Sequence, residues 1–532
     1  MKRAWVAVGA MLSVGLGLGC ADPMETSDAP DAPLARLARE ETPRPEGWED
    51  ASHGKRAAAD YAHVFADGVQ RIDVVMTAET YAAMLEDLLQ RIGGPGTRNG
   101  RSPLAVAACA EKEENARCAF LDVEGSCTPA GPALACEADD QIGPLDMVPG
   151  DPTMVPVTVR HGGRQWNHVG MRLKGNSSLT APFRSGGRKL PLRLDFDAFE
   201  GAHPEIDDQR FHGFEKLTFA SGYSDPSLIR EKLAADFLRE AGAPVARAAL
   251  YRVYVDVGLG PVYWGVYTLI EDPGDRMLAA QFDDDSGNLY KPDGPGAEFV
   301  RFDAKSFEKK NHEKEADFSD VERAFAALHA PRDDAAAWRA GLEAALDVDT
   351  FLRQLAATRA IDHWDAYGVN AHNFYLYGDP AHAGRLVWIS WDHNLILQGG
   401  RGRSSVLLGG GTTARWPLLH YVLGDAVYQE RFRAIYAELL AGAFAKARFD
   451  ARATALSEQV APYVVGPEGE RAPFTNLWNA QSFTSALPSL IRAADARRTQ
   501  IETGLAPPPP PPPVEPPAEV QPPVDVPTPE AP

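Results

Sequence analysis

The chain is expected to fold as an α+β protein in two parts, a strand-rich first half followed by a mostly helical second half. Three observations predict this. Alternating apolar and polar residues recur between Gln70 and Glu271, helical spacing takes over from about residue 316, and no internal repeat breaks that order. The length of 532 residues is enough for one large or two ordinary domains, and 44% apolar with 24% charged residues is the balance of a globular body.

Gln70 to Met76 alternates as a strand, and Ala78 to Arg91 then carries apolar residues at helical spacing. Residues 94–150 read as an insertion rich in Gly, Pro, Ala and acidic side chains. It holds Cys109, Cys118, Cys127 and Cys136, nine residues apart, with no C-x-x-C pair and no histidine among them. That pattern argues against zinc and for two disulfides, with three pairings open. From Val155 to Asp197 the strands VPVTVR, HVGMRLK and KLPLRLDFD follow. Ser224 and Asp225 then precede LIREKLAADFLREAG, an amphipathic helix ended by Gly242. ALYRVYVDV and VYWGVYTLIE read as two strands around a Gly-Pro turn. Residues 316–360 are helical and run into IDHWD; FYLYG and RLVWISWD are short strands, and the rest to Gly504 is mainly helical.

The termini read differently from the body, which spans residues 59–504. Lys2 and Arg3 precede an apolar run from Ala4 to Gly19, too short to span a bilayer, and then Cys20. This is an export signal over residues 1–20, of lipoprotein type if Cys20 is acylated after Leu18-Gly19, or cleaved nearby as an ordinary signal. Acyl chains on Cys20 would anchor the chain at a membrane surface, each buried CH₂ contributing about 0.8 kcal/mol. Residues 21–58 read as a disordered tether, and residues 505–532, with prolines from Pro507 to Pro513, as an extended tail. Lys plus Arg total 53 against 74 Asp plus Glu, a net charge of −21. Such a surface repels nucleic-acid phosphates, which argues against that partner and for basic proteins.

P-loop, dinucleotide-binding, H-E-x-x-H and G-x-S-x-G signatures are all missing from the sequence, which leaves three polar clusters. In M171-R-L-K-G-N-S-S178, Arg172 and Lys174 share one strand face beside a small-residue turn, a setting for a phosphate chain or simply a solvated edge. In KLPLRLDFD, Leu190, Leu192, Leu194 and Phe196 point to a core and leave Lys189, Arg193 and Asp195 opposite. Glu231 on the following helix is placed to hold a strand lysine, as kinases orient nucleotide phosphates, although a solvated helix face has the same spacing. The third cluster runs from Asp362 to Asn394. Asp365 on a loop after a helix, Asn373 eight residues on and Asp392 after a strand follow the kinase order of catalytic carboxylate and two metal ligands. The same segment admits a rival, since His363, Asp365, His372, Asp392 and His393 are types that ligate zinc or manganese in hydrolases.

RLKGNSS, KLPLRLDFD, SDPSLIREKLAADFLREAG, GVYTLIE, GNLYKP, DHWDAYG to HNFYLY, and ISWDHN, in this order, resemble the CotH family of spore-coat, kinase-like proteins. The resemblance runs from about Val64 to the helices beyond Asp392, without the cysteine insertion. It implies an atypical protein-kinase-like bilobal fold, ATP with Mg2+ or Mn2+, and transfer of the γ-phosphate to Ser or Thr of secreted or surface proteins. Carried over by motif, Asp365 is the catalytic aspartate, and Asn373 and Asp392 are metal ligands. Lys174 and Lys189 are alternative phosphate contacts, Glu231 pairs with one of them, Glu271 lies near the nucleotide hinge, and Lys291 matches without a role. Asn394 departs from the pattern, because many members carry an acid there. Two other functions stay open: a non-catalytic adhesin or coat module with this fold, and a metal-dependent hydrolase.

Overall fold

A strand with one apolar face must cover it, and the strands of the first half do so by curling into a closed barrel around their own side chains. The computed structural model describes residues 42–94, 102–131, 133–138, 148–399, 404–408 and 412–506. The expected export signal with Cys20, residues 21–41 of the expected tether and the proline-rich tail from residue 507 lie outside the described residues. Residues 42–58, also expected as disordered tether, are instead ordered, with a helix at Asp50–His53 whose His53 is buried and stacked on Trp166. Among the described residues no helix is long and apolar enough to cross a membrane.

Seven strands form the barrel: β1 (Val69–Val75), β5 (Val155–His161), β6 (Arg164–Leu173), β7 (Leu192–Asp195), β8 (Lys216–Ala220), β9 (Ala248–Asp256) and β10 (Pro261–Glu271), in the order β1-β5-β6-β7-β8-β10-β9. Every pairing is antiparallel except the closing one, where β1 runs parallel to β9 from Val69↔Leu250 to Val75↔Asp256. Alternate residues fill the interior, among them Ile72, Val159, Trp166, Met171, Leu194, Phe219 and Tyr267, each at most 1% exposed. Helix α1 (Ala78–Ile92) buries Met84, Leu88 and Ile92 in the same core.

The insertion is a small three-stranded sheet of β2 (Arg117–Phe120), β3 (Val123–Ala130) and β4 (Ala133–Ala138). Disulfides Cys109–Cys127 and Cys118–Cys136 interleave across it. They resolve the pairing left open by the spacing and compensate for a cluster too small to hold together by burial alone.

The second part is built on an antiparallel sheet, β12-β11-β13-β14, from β11 (Leu289–Pro292), β12 (Phe307–Lys309), β13 (Phe374–Asp379) and β14 (Arg385–Ser390). Around it pack α2 (Arg230–Glu240), α3 (Val348–Ala360), α4 (Ala426–Ala441), α5 (Lys446–Val464) and α6 (Ala486–Leu505). Asp347 starts α3 by accepting from the Thr350 backbone N–H at 2.9 Å. Phe237, Leu352, Tyr436, Phe449 and Leu490 are fully buried here, and each such side chain contributes about 1.5–3 kcal/mol. The protein is therefore a mixed α/β fold whose first half closes into a barrel, a closure that strand alternation alone does not reveal.

Lys189 ties the two parts together. It precedes β7 because Pro191 cannot donate to a ladder; the Pro191 carbonyl instead accepts from the Lys174 N–H at 3.2 Å. The Lys189 and Glu470 side chains are both 0% exposed, and Lys189 Nζ donates to Glu470 Oε1. The same oxygen accepts from the Val266 N–H at 2.8 Å. Gly265, at φ +116°, makes room for the pair: a Cβ there would lie 2.6 Å from Glu470 Oε1. Glu470→Ala, which leaves a buried ammonium unpaired, is expected to cost about 3–5 kcal/mol in urea unfolding; a loss within experimental error would show that the pair is dispensable.

Candidate functional site

The helix-to-strand segment after α3 is pinned by buried groups before any functional side chain is considered. Asp362 Oδ1 accepts from the Ser404 N–H at 2.9 Å and its hydroxyl at 2.8 Å. Arg359 donates to the Tyr367 carbonyl at 2.5 Å, and the Tyr367 hydroxyl donates to the Glu298 carbonyl at 3.0 Å. Gly368, at φ +98°, passes where a Cβ would stand 2.3 Å from Arg359 Nη2. The Trp391 N–H donates to the Asn373 carbonyl at 3.0 Å, and His363 Nε2 donates to the Trp391 carbonyl at 3.2 Å. These bonds seat the loop that carries Asp365 against the end of β14, where Asp392 stands.

Asp365, Asn373 and Asp392 thus share one site. Asn373 Nδ2 donates to the Asp365 carbonyl at 2.8 Å. Asp365 Oδ1 accepts from Asn370 Nδ2 at 2.7 Å and His372 Nε2 at 2.8 Å. Burial works against the Asp365 carboxylate, but His372 and Asn370 outweigh it and hold its pKa below the ordinary value. The same hydrogen bond raises the His372 pKa, so the two form an ionic pair. Asn373 and Asp392 adopt φ of 61° and 55°, a left-handed conformation that Asn and Asp tolerate best among residues with a Cβ. Among the described residues neither oxygen of Asp392, nor Oδ1 of Asn373, nor Oδ2 of Asp365 takes a hydrogen bond. Burial, then Glu231 and Asp365, push the Asp392 carboxyl up to about 6. Carboxylates crowded this way, with open oxygens beside an amide oxygen, form a hard-donor set that fits Mg2+ or Mn2+.

Glu231 does not pair with a lysine. It is 7% exposed on α2, where Oε2 accepts from the His393 N–H at 2.8 Å and Oε1 is bonded to His393 Nδ1 at 3.2 Å. Its role is to hold the residue next to Asp392. Burial raises its carboxyl to about 8, and burial lowers the His393 imidazole to about 4. At neutral pH the contact therefore joins a neutral acid to a neutral ring. His363 is lowered to about 3, again by burial first and then by His393. The imidazole–carboxylate cage of the hydrolase reading does not form: among the described residues no three of His363, Asp365, His372, Asp392 and His393 bring ligand atoms within 4.8 Å of one another.

A cationic wall comes from the barrel. Arg172 on β6 stands directly opposite Arg193 on β7, an arrangement that costs energy unless neutralised. Arg172 is paired with Asp151 and Arg193 with Asp272. Lys174 lies beside them with no ion-pair partner among the described residues; burial, then Arg193, pull its ammonium down to about 8, and Lys291 adds to that field. The β11–β13 sheet links wall and acids. Burial pushes the Asp293 carboxyl up while His372 and Lys291 pull it back, and the Tyr375 hydroxyl, raised first by burial, feels Asp272, Arg193 and Asp392 together.

Two further expectations are corrected. Lys189 is sealed inside the barrel wall by Glu470, so of the two lysines only Lys174 faces an open position. Glu271 does not line this site: Oε1 accepts from the Tyr61 hydroxyl and Oε2 from the Arg247 N–H at 2.9 Å, at the buried end of β10. Sequence reasoning passed over Asp272 and Asp293 as site components, gave Arg193 no role beyond its strand face, and read His372 with Asp365 only as possible metal ligands rather than as a pair. Asp272 and Asp293 each directly follow a motif, GVYTLIE and GNLYKP, which was the available signal.

Glu231 yields a direct test. Its folded-state pKa lies above the ordinary 4.5, so the folded chain binds more protons than the unfolded chain between the two values, and stability falls as pH rises through them. Glu231→Gln keeps both hydrogen bonds and cannot ionise. In the presence of a chelator, its melting temperature relative to wild type is expected to climb from about pH 5 to about pH 8.5. A pH-independent difference in thermal melts would contradict the raised pKa.

With this geometry in view, comparison with known proteins gives a consistent result. The sequence model described as CotH kinase protein matches residues 171–501. The chain is also 24% identical over 299 residues to the inner spore coat protein H of Bacillus subtilis (strain 168), an alignment that covers 51% of this chain and 78% of that protein. The matched span holds every residue assigned above to the acidic set and to the cationic wall, and by it the chain belongs to the CotH kinase protein family.

Proposed function

We propose that this chain is an exported protein kinase of atypical, bilobal kinase-like layout, transferring the γ-phosphate of ATP to Ser or Thr hydroxyls of surface or secreted proteins. The observation that carries the proposal is a set of open carboxylate and amide oxygens at Asp392 and Asn373 in the same molecule as a cationic wall whose Lys174 has no ion-pair partner among the described residues. A divalent cation, Mg2+ or Mn2+, bound with the nucleotide at Asn373 and Asp392 would neutralise phosphate charge as it develops. Lys174, backed by Arg172 and Arg193, holds and orients the phosphate oxygens. Asp365, kept ionised by His372, accepts a hydrogen bond from the attacking hydroxyl at Oδ2 and aims it. Glu231 keeps Asp392 in place through His393.

Export and a Cys20 lipid anchor follow from the N-terminal signal, and two disulfides support an oxidising compartment. The relative's name places that protein in the inner spore coat, which supports a surface or coat setting here. The net charge of −21 favours basic protein acceptors over nucleic acid. A second reading, nucleotide binding in a structural coat or adhesin module without turnover, is favoured by Asn394, an amide at a position where the family resemblance leads an acid to be expected.

Incubating the purified chain with γ-labelled ATP, Mg2+ or Mn2+ and a basic protein tests the proposal. Label is expected on the chain or the acceptor, with Asp365→Asn and Asp392→Asn each lowering the rate about 100-fold or more. Lys174→Met should raise the KM for ATP rather than abolish binding of the acceptor. Equal labelling by wild type and Asp392→Asn would overturn the kinase reading, and nucleotide binding without any transfer would establish the second.

A further inference from the structure

His168 occupies an unusual place in the barrel. On β6 the register against β5 slips from Val157↔Val169 to Val159↔Trp166, so that two residues, Asn167 and His168, stand against one. His168 takes a left-handed φ of 51°, a conformation that costs energy for a residue with a Cβ. The bulge is fixed from below by Gln209, 1% exposed, whose Nε2 donates to the Asn167 carbonyl and the Phe196 carbonyl, both at 2.9 Å. Its effect is to turn the His168 ring out of the sheet onto His203. The two imidazoles stack with centroids 3.5 Å apart and planes 10° apart. Glu205, two residues after His203, completes the group: Oε1 lies 3.2 Å from His203 Nδ1 and 3.5 Å from His168 Nε2.

We propose that His168, His203 and Glu205 form a binding site for a zinc-class divalent cation on the outside of the barrel. One ligand atom from each residue lies within 4.8 Å of the other two. The separations from Glu205 Oε1 to the two imidazole nitrogens, 3.2 and 3.5 Å, bracket the edge of about 3.3 Å that a tetrahedron with zinc-to-ligand bonds of about 2.0–2.1 Å requires. Two imidazole nitrogens and one carboxylate oxygen are the donors that such borderline ions take, whereas Mg2+ and Ca2+ prefer oxygen alone. The side chains are 37%, 33% and 32% exposed, so water reaches the remaining position. As stacked, the two rings lie in nearly parallel planes, so their in-plane lone pairs converge on one ion only after one imidazole turns out of the stack. Bound metal would clip the loop before β8 to the bulge in β6. Of the three residues only His168 lies before the stretch matched by the CotH family, His203 and Glu205 falling inside it, and none of them belongs to the acidic set or the cationic wall, so the site does not depend on phosphoryl transfer.

The test uses the full chain without a polyhistidine tag, disulfides intact, in an Asp392→Asn background and excess Mg2+, so that zinc at the proposed nucleotide site does not contribute. After chelator treatment and dialysis, zinc is titrated against a chromophoric chelator. One zinc per chain is expected, with affinity falling about tenfold or more in His168→Ala and in His203→Ala. Glu205→Gln, which keeps the side-chain shape, gives the same reading if a histidine variant fails to fold. No zinc bound in the background protein, or unchanged stoichiometry and affinity in these variants, would show that the cluster is only a stacked pair beside an ion pair.

Discussion

A single buried contact, Glu231 with His393, holds the arrangement on which the site depends. The carboxyl comes from the barrel-side helix α2, and the N–H and ring that meet it come from the residue after Asp392 at the end of β14. An ionised carboxylate in that position would pay a large desolvation cost. Burial raises its pKa to about 8 instead, so at neutral pH the clasp is an uncharged hydrogen-bonded pair. Asp392 is left beside it in a left-handed conformation with both oxygens open. Left-handed backbone and open oxygens thus gather at Asp392 and Asn373, with Asp365 Oδ2 beside them, the distribution expected where a structure is organised around a ligand.

Charge is partitioned across the site in a way that bulk composition hides. A chain with a net charge of −21 still gathers Arg172, Lys174, Arg193 and Lys291 on one wall, each arginine in an ion pair with one aspartate and Lys174 in none among the described residues. The acidic side of the site centres on Asp392, whose carboxyl is raised by burial first and then by Glu231 and Asp365. Both halves are electrostatically uncomfortable alone. A polyanion with a divalent cation would relieve both, whereas a neutral ligand would relieve neither. A surface depression of about 420 Å³ lies elsewhere, beside Arg71 and Arg164; the site around Asp392 is marked by its donor chemistry.

What could be read from the sequence follows the range of the interactions. Helix α1, helix α2 and the strands around Met171 and Leu194 were legible because period and burial agree within a dozen residues. Asp365, Asn373 and Asp392 were legible because loop chemistry between aromatic strands is locally distinctive. Lys189 was misjudged because its partner, Glu470, lies 281 residues away, and alternation put its side chain on the wrong face once Pro191 delayed the strand. The partner of Glu231 is likewise 162 residues distant. Barrel closure rests on a parallel β1–β9 pairing that no turn signal announces, and the bulge that turns His168 outward is visible only in the register. Local patterns located the carboxylates of the proposed site; long-range pairing decided which cations and which acid accompany them.

The central claim is that Asn373, Asp392 and Lys174 act as one nucleotide-and-metal site. Manganese binding followed by electron paramagnetic resonance measures this most directly. With a non-hydrolysable ATP analogue present, the signal of free Mn2+ is expected to fall on adding wild-type chain, and to fall far less with Asp392→Asn or Lys174→Met. Identical loss of free Mn2+ for all three proteins, or none for wild type, would contradict the account.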